Sequence, residues 1–360
     1  MDGVISLGVG EPDFVTPEKF VKAGFDAVNR GETHYTSNYG ILELREAVSD
    51  HLNRLYGVRY NPENEIIITV GVSEALMLAL HALLDPGDEV LSSDPYYVAY
   101  LPCVVLAGGR FVPVRTSVEQ DFRIHAKELE AHVTENTKAI LLGYPANPTG
   151  AQMTREDLSE IAQLAADRDL IVIADEIYDR LTYGIEHTCF PSLPGMQERT
   201  ILLGGFSKSY AMTGWRVGWV CADAEIIEAM MKIHQYIIMS APTISQHVAL
   251  EAIRNGEAET QRFVQEFDAR RKLVVAGLRD IGLATYEPTG AFYAFPSVRS
   301  TGMHDVEFAE GLLKEENVAV IPGSAFGEGG SGHIRLSYTA SSDLLEEALE
   351  RMARFVKRHA

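Results

Sequence analysis

From about residue 60 to residue 220, short apolar runs alternate with helical patterns, and no other feature of this chain restricts its fold so tightly. "EIIITV" precedes the helix-like "SEALMLALHALL", which stops at the breaker "DPGDE"; "EVLSS", "RFVPV", "KAILLGY", "LIVIADEI", "TILLGGF" and "WRVGWVC" follow. Strands that are apolar on both faces and separated by helices predict a parallel or mostly parallel sheet covered by helices, an α/β core. The segment "TREDLSEIAQLAADRD" opens with a capping-box pattern from Thr154 to Asp157, which marks a helix start. Past this core the pattern changes. "APTISQHVALEAIRNG", residues 257–282, "DVEFAEGLLKEEN" and the terminal "SDLLEEALERMARFVKRH" read as helices, and "GAFYAFPSV", "VAVIPGS" and "HIRLSYT" as short strands. A chain of 360 residues is longer than one small core organises, so a smaller α+β unit beside the large one is expected.

Charge and cysteine usage exclude several functions. A net charge of −20 repels nucleic acid and anionic membranes, so neither is expected as a partner. The three cysteines, Cys103, Cys189 and Cys221, lie far apart and form neither a disulfide framework nor a zinc site, which suits a reduced cytoplasm. There is no signal-like start and no run of apolar residues long enough to span a membrane. "GEGGSG", residues 327–332, has the spacing of a dinucleotide loop but precedes the strand "HIRLSY" instead of opening a helix. "GFSKS" lacks the last glycine of a nucleophile elbow, and no P-loop sequence occurs.

One lysine stands out. In "GGFSKSYAMTGWRVGW", Lys208 follows an apolar strand, where an amine is costly to bury unless its chemistry is used. A buried lysine becomes a nucleophile when desolvation lowers its pKa, or it is tied up in a Schiff base with an aldehyde such as that of pyridoxal phosphate. That cofactor needs a carboxylate at its ring nitrogen, donors at its phenolate oxygen, backbone N–H groups and a cation at its phosphate, and an aromatic on its ring face. "IADEIY" offers Asp175 at a strand end, with Tyr178 close behind; Glu176 should point the other way because strand side chains alternate. "GYPANPTG" offers Asn147, "DPYYVAY" offers Tyr97, and "TVGVSEAL" places Gly71, Val72 and Ser73 at a strand-to-helix junction suited to phosphate. Arg216 supplies a planar guanidinium. A strand-end Asp alone is more often a cap, and a tyrosine more often packing; their occurrence together in this order is not explained by packing.

These segments, with "SLGVGEPDF", "HYTSNYGILELREA", "GAFYAFP", "VIPGSAFG" and "HIRLSYT", make the sequence resemble the fold-type I, class I aminotransferases of the aspartate and aromatic subgroup across nearly its whole length. The resemblance implies a mostly parallel seven-stranded sheet in a large domain, residues 26–257, and a smaller domain formed by residues 1–25 and 258–360. It also implies a homodimer with active sites at the interface and pyridoxal 5'-phosphate as cofactor. Carried over by position, Lys208 becomes the Schiff-base lysine that shuttles the substrate proton. Asp175 pairs with the ring nitrogen, Asn147 and Tyr178 hold the phenolate oxygen, and Tyr97 stacks on the ring. Ser207, Arg216 and the amides of Gly71, Val72 and Ser73 bind the phosphate, and Tyr35 reaches it from the neighbouring subunit. Arg335 clamps the substrate α-carboxylate, with Gly10 lining the same pocket.

The chain departs from the pattern at two points. Relatives usually carry a further helical segment before "VISLGVGEPDF", where three residues stand here; either the start is truncated or the site closes differently. Gly205 replaces a serine that binds phosphate in some relatives, leaving one hydroxyl fewer. The activity implied is transfer of an amino group from an L-amino acid to a 2-oxo acid such as 2-oxoglutarate. A carbon–sulfur β-lyase or related synthase using the same cofactor is the alternative, and a non-enzymatic sensor domain a remote one. Ser37, Asn38, Tyr39 and Phe292 are the expected lining for the substrate side chain, and they suit aromatic, medium apolar and acidic side chains alike.

Overall fold

The computed structural model describes residues 3–359. Its strands, in chain order, begin with β1 (Ile5–Ser6), followed by β2 (Ile66–Thr69), β3 (Glu89–Asp94), β4 (Arg110–Arg115), β5 (Thr137–Leu142), β6 (Ile171–Asp175), β7 (Thr200–Gly205) and β8 (Gly218–Cys221). Strands β2 to β8 form one seven-stranded sheet in the order β2-β8-β7-β6-β5-β3-β4. Only β8 runs against its neighbours, β2 and β7; the remaining pairs are parallel. The apolar runs explain this arrangement. Ile67, Val90, Leu141, Ile173, Leu203 and Val220 pack on one face, and Ile66, Ile68, Leu91, Ile140, Val172 and Leu202 on the other. Both faces are buried, as a parallel sheet with helical crossovers requires. The helix Arg155–Asp167 starts on the expected reciprocal cap, with the Thr154 side chain accepting from the Asp157 N–H and the Asp157 carboxylate accepting from the Thr154 N–H.

A second core lies beyond the sheet. β9 (Tyr293–Ala294), β11 (Ile321–Pro322) and β12 (Ile334–Ser337) form a three-stranded antiparallel sheet in the order β11-β12-β9, while β10 (Val318–Ala319) pairs in parallel with β1. Phe263 and Phe267 of the helix Glu257–Asp280, Phe308 of Asp305–Glu316 and Phe355 of Ser342–His359 fill this core. The β1–β10 pairing draws the N-terminal segment, including Gly8 and Gly10, onto the C-terminal part of the chain. Residue 26 lies inside the helix Glu18–Asn29, and residue 257 opens the long helix. The "GEGGSG" run is a clasp between the two parts, its Gly329 N–H donating to Asp94 at the end of β3. Among the described residues no helix is long and apolar enough to cross a membrane.

Candidate active site

Because β2, β3, β5, β6 and β7 run parallel, their carboxyl ends open on one edge of the sheet, where ligands of such sheets bind. A cavity of about 440 Å³ lies there, between the sheet edge and the β9–β12 unit. Gly10, Val72, Ser73, Tyr97, Asn147 and Asp175 line it, as do Tyr178, Ser207, Lys208, Arg216 and Arg335. Twelve of the thirteen expected site residues therefore converge, Gly71 being counted through its contact with Arg216 described below.

Lys208 follows the end of β7, and its Nζ donates to the Gly10 carbonyl at 2.7 Å. Burial pulls its pKa down to about 8, with Arg216 and Arg335 pulling in the same direction and Glu11 and Asp175 opposing. Asp175 ends β6 and accepts from the Tyr100 hydroxyl at 2.9 Å. Burial pushes its carboxyl up to about 6, against the lowering effect of Tyr100, the Ile177 N–H and Lys208. Glu176 faces elsewhere, accepting from the Phe190 N–H at 2.8 Å and pairing with His187 at 2.7 Å, as strand alternation predicts.

The helix Gly71–Leu83 points its N-terminus into the cavity, where its first N–H groups lack intrahelical partners. Gly71 has φ +75°, and a Cβ there would lie 2.6 Å from Arg216 Nη2, so the guanidinium rests directly on the helix start. Arg216 itself has φ 50°, and its Nη1 donates to the Thr213 carbonyl at 3.0 Å. Arg335 on β12 donates through Nη1 to Asn147 Oδ1 at 2.9 Å and through Nη2 to the Gly8 carbonyl. Its guanidinium lies 4.6 and 4.9 Å from the ring centroids of Tyr293 and Phe326, and its buried Nε has no hydrogen-bond partner among the described residues. Among the described residues no acidic side chain pairs with it either, which removes the ordinary structural reason for a strand arginine.

Tyr35 is 81% exposed and lies off the cavity of its own chain, which leaves its expected role in a neighbouring subunit's site untouched. The expected lining for the substrate side chain does need correction. Ser37, Asn38 and Tyr39 do not line the cavity; Tyr39 instead lies under the Arg45 guanidinium. Phe292 is fully buried in the second core, and its neighbour Tyr293 faces the cavity. Tyr293 and Tyr100 were not anticipated. Tyr100 stands three residues after Tyr97, one turn on, a spacing that could have suggested it.

The residues fit pyridoxal phosphate. Asp175 is a buried carboxylate facing the cavity, Lys208 a partly buried amine on the same lining, and the helix start with Arg216 an anion cradle in which a side chain at position 71 would collide.

Comparison with known proteins agrees with this geometry. The sequence profile of the family described as aminotransferase class I and II matches residues 2–352. An aspartate aminotransferase of Pyrococcus abyssi is 44% identical over 360 residues, covering 99% of this chain and 92% of that protein. Aromatic-amino-acid aminotransferase 2 of Thermococcus litoralis is 42% identical, with the same coverage of 99% and 92%. The crystal structure of an aromatic aminotransferase from Pyrococcus horikoshii superposes with a TM-score of 0.97 at 45% identity, covering 99% of this chain and 97% of that one.

Proposed function

Since the chain belongs to the class I and II aminotransferases, pyridoxal-phosphate-dependent enzymes, we propose that the cavity residues above carry transamination between an aromatic or acidic L-amino acid and a 2-oxo acid, with 2-oxoglutarate as acceptor. The bound cofactor supplies an aldehyde for an amine and a sink for the electrons of the broken Cα–H bond. Asp175 holds the ring nitrogen, Tyr97 covers a ring face, and Asn147 and Tyr178 face the ring oxygen. Ser207, Arg216 and the amides of residues 71–73 hold the phosphate. Arg335 fixes the substrate α-carboxylate with its planar fork, and Gly10 leaves room beside it. Lys208 takes the Cα proton on Nζ, which its lowered pKa of about 8 leaves partly neutral near physiological pH.

The observation that carries this reading is a single one: the partly buried Lys208 amine shares one cavity with Asp175 and Arg335. The purified holoenzyme is expected to be yellow, and borohydride reduction followed by peptide mapping should find the cofactor on Lys208, with Lys208→Ala losing both attachment and turnover. A modified lysine elsewhere would overturn the assignment. A panel of amino acids, scored for 2-oxo acid and amino acid products, then ranks the donors. The lining of the cavity holds three cations, Lys208, Arg216 and Arg335, all with roles already, so a distal carboxylate must find its partner beyond this lining.

Dimerisation belongs to the same proposal. Tyr35 at 81% exposure, Tyr236 at 86% and Ile237 at 65% form unusual apolar surface. The two segments are tied together, since Thr243 and Gln246 bond to His34 and Thr36. A second copy covering this face would place Tyr35 near the neighbour's phosphate cradle. The large and small domains expected from the sequence, and a cytoplasmic location suited to three free cysteines, complete the proposal.

A further inference from the structure

Tyr178 and Tyr293 place their hydroxyl oxygens 2.8 Å apart, and both side chains are buried. Each phenol has one proton to give. The space between the two oxygens holds only one, so the pair has a direction. If Tyr178 donates to Tyr293, it presents nothing but lone pairs to the cavity. If Tyr293 donates to Tyr178, the Tyr178 proton is free to point into the cavity.

Tyr293 is held from several sides. Its backbone pairs with Ser337 across β9 and β12, and its ring lies under the Arg335 guanidinium. Its hydroxyl abuts Gly10, where a Cβ would come within 2.0 Å of it. The ring of Tyr178 meets that of Tyr293 edge-on, with centroids 5.9 Å apart. One side chain thus touches the carboxylate clamp, the glycine whose carbonyl receives the Lys208 amine, and the Tyr178 hydroxyl.

We infer that Tyr293 is a positioning residue whose hydroxyl donates to Tyr178, turning the Tyr178 proton toward the ring oxygen of the bound cofactor, while its ring supports Arg335. The inference rests on the proposed placement of Tyr178 beside that oxygen. An anionic oxygen draws the Tyr178 proton in a charge-assisted bond, and a second donor behind Tyr178 polarises that bond further. Burial, which pushes both phenols above their ordinary pKa, keeps the two protons in place across the working pH range.

The test is a pH titration of the visible band of the holoenzyme. Donation to the ring oxygen stabilises the deprotonated form, so weakening it raises the midpoint. Tyr178→Phe should raise it most, and Tyr293→Phe should raise it by about 0.3–1 unit, the size expected for one neutral hydrogen bond acting at second hand. In a Tyr178→Phe background, Tyr293→Phe should shift nothing. KM for amino donor and oxo-acid acceptor should rise more in Tyr293→Leu than in Tyr293→Phe, whose ring remains under Arg335. A midpoint moved by Tyr178→Phe but not by Tyr293→Phe overturns the inference and leaves the placement of Tyr178 standing. If neither variant moves it, the placement of Tyr178 fails. Equal shifts in both backgrounds show Tyr293 acting elsewhere and overturn the inference. Should Tyr293→Phe alone not fold, a fluorinated tyrosine at position 293, a stronger donor that keeps the ring, should lower the midpoint, and a midpoint left in place overturns the inference.

Discussion

Replacing Asp175 by Asn is expected to stabilise the cofactor-free chain at neutral pH and to disable the loaded enzyme. Burial raises the Asp175 carboxyl from 3.8 to about 6. An acid whose native pKa lies above its unfolded value binds its proton more tightly when folded, so stability is full below the unfolded pKa and falls as pH rises through the native one. A rise of about two units corresponds to about 3 kcal/mol lost by neutral pH. Asn does not titrate, and its Oδ1 can still accept from Tyr100, the partner of the native carboxylate. With a melting entropy near 2 cal/mol/K per residue, about 3 kcal/mol across a chain of 360 residues moves Tm by about 4 °C. Calorimetry of cofactor-free wild type and Asp175→Asn from about pH 4 to about pH 8 should therefore show the gap shifting toward the variant by that amount. In the loaded enzyme the order should reverse if the carboxylate pairs with a cationic ring nitrogen as proposed, and turnover of Asp175→Asn should then fall about 100-fold or more. A gap that stays flat across the pH range would refute the burial argument, and near-normal turnover of the folded variant would refute the role at the ring nitrogen.

Arg335→Lys keeps the charge but loses the fork, so KM should rise about 10-fold or more for amino donor and oxo-acid acceptor alike; a loss confined to dicarboxylic substrates in steady-state kinetics would move Arg335 to the far end of the pocket. For the shared site, mixing inactive Lys208→Ala chains with inactive Tyr35→Trp chains should restore activity in heterodimers that keep one intact site. Mixed dimers that form and remain inactive would place Tyr35 outside the neighbour's site.

The strand ends were legible because chemistry and punctuation coincide there: an apolar run stops, and a polar side chain or glycine follows. Asp175, Lys208, Asn147 and Gly71 all sit at such stops. Strand alternation also separated Asp175 from Glu176, since β6 is five residues of regular strand. The same rule gave no guide between Phe292, expected as pocket lining, and Tyr293. β9 is two residues long, and the chain enters it through Ala291 at φ 56°, so no phase of alternation is carried in from upstream. Tyr100 was hidden for a different reason. Its value lies in a hydrogen bond to Asp175, 75 residues away, a pairing set by the order of β3, β5 and β6 and not by local pattern.

The proposed carboxylate clamp is likewise assembled from three parts of the chain. Gly8 comes from the N-terminal segment, Asn147 from the loop after β5 and Arg335 from the second sheet, and the hydrogen bonds that join them are made by the guanidinium itself. A surface arginine could serve as a charge with less structure behind it. Here the rings of Tyr293 and Phe326 lie 4.6 and 4.9 Å from the guanidinium, and Asn147 and Gly8 accept from its two Nη groups, so the fork is held on several sides. If Arg335 is the proposed carboxylate clamp, an amide or hydroxyl in place of the carboxylate would answer its geometry and not its charge, so amino acid amides and amino alcohols should fail as donors whatever side chain they carry, and turnover of either would refute the role.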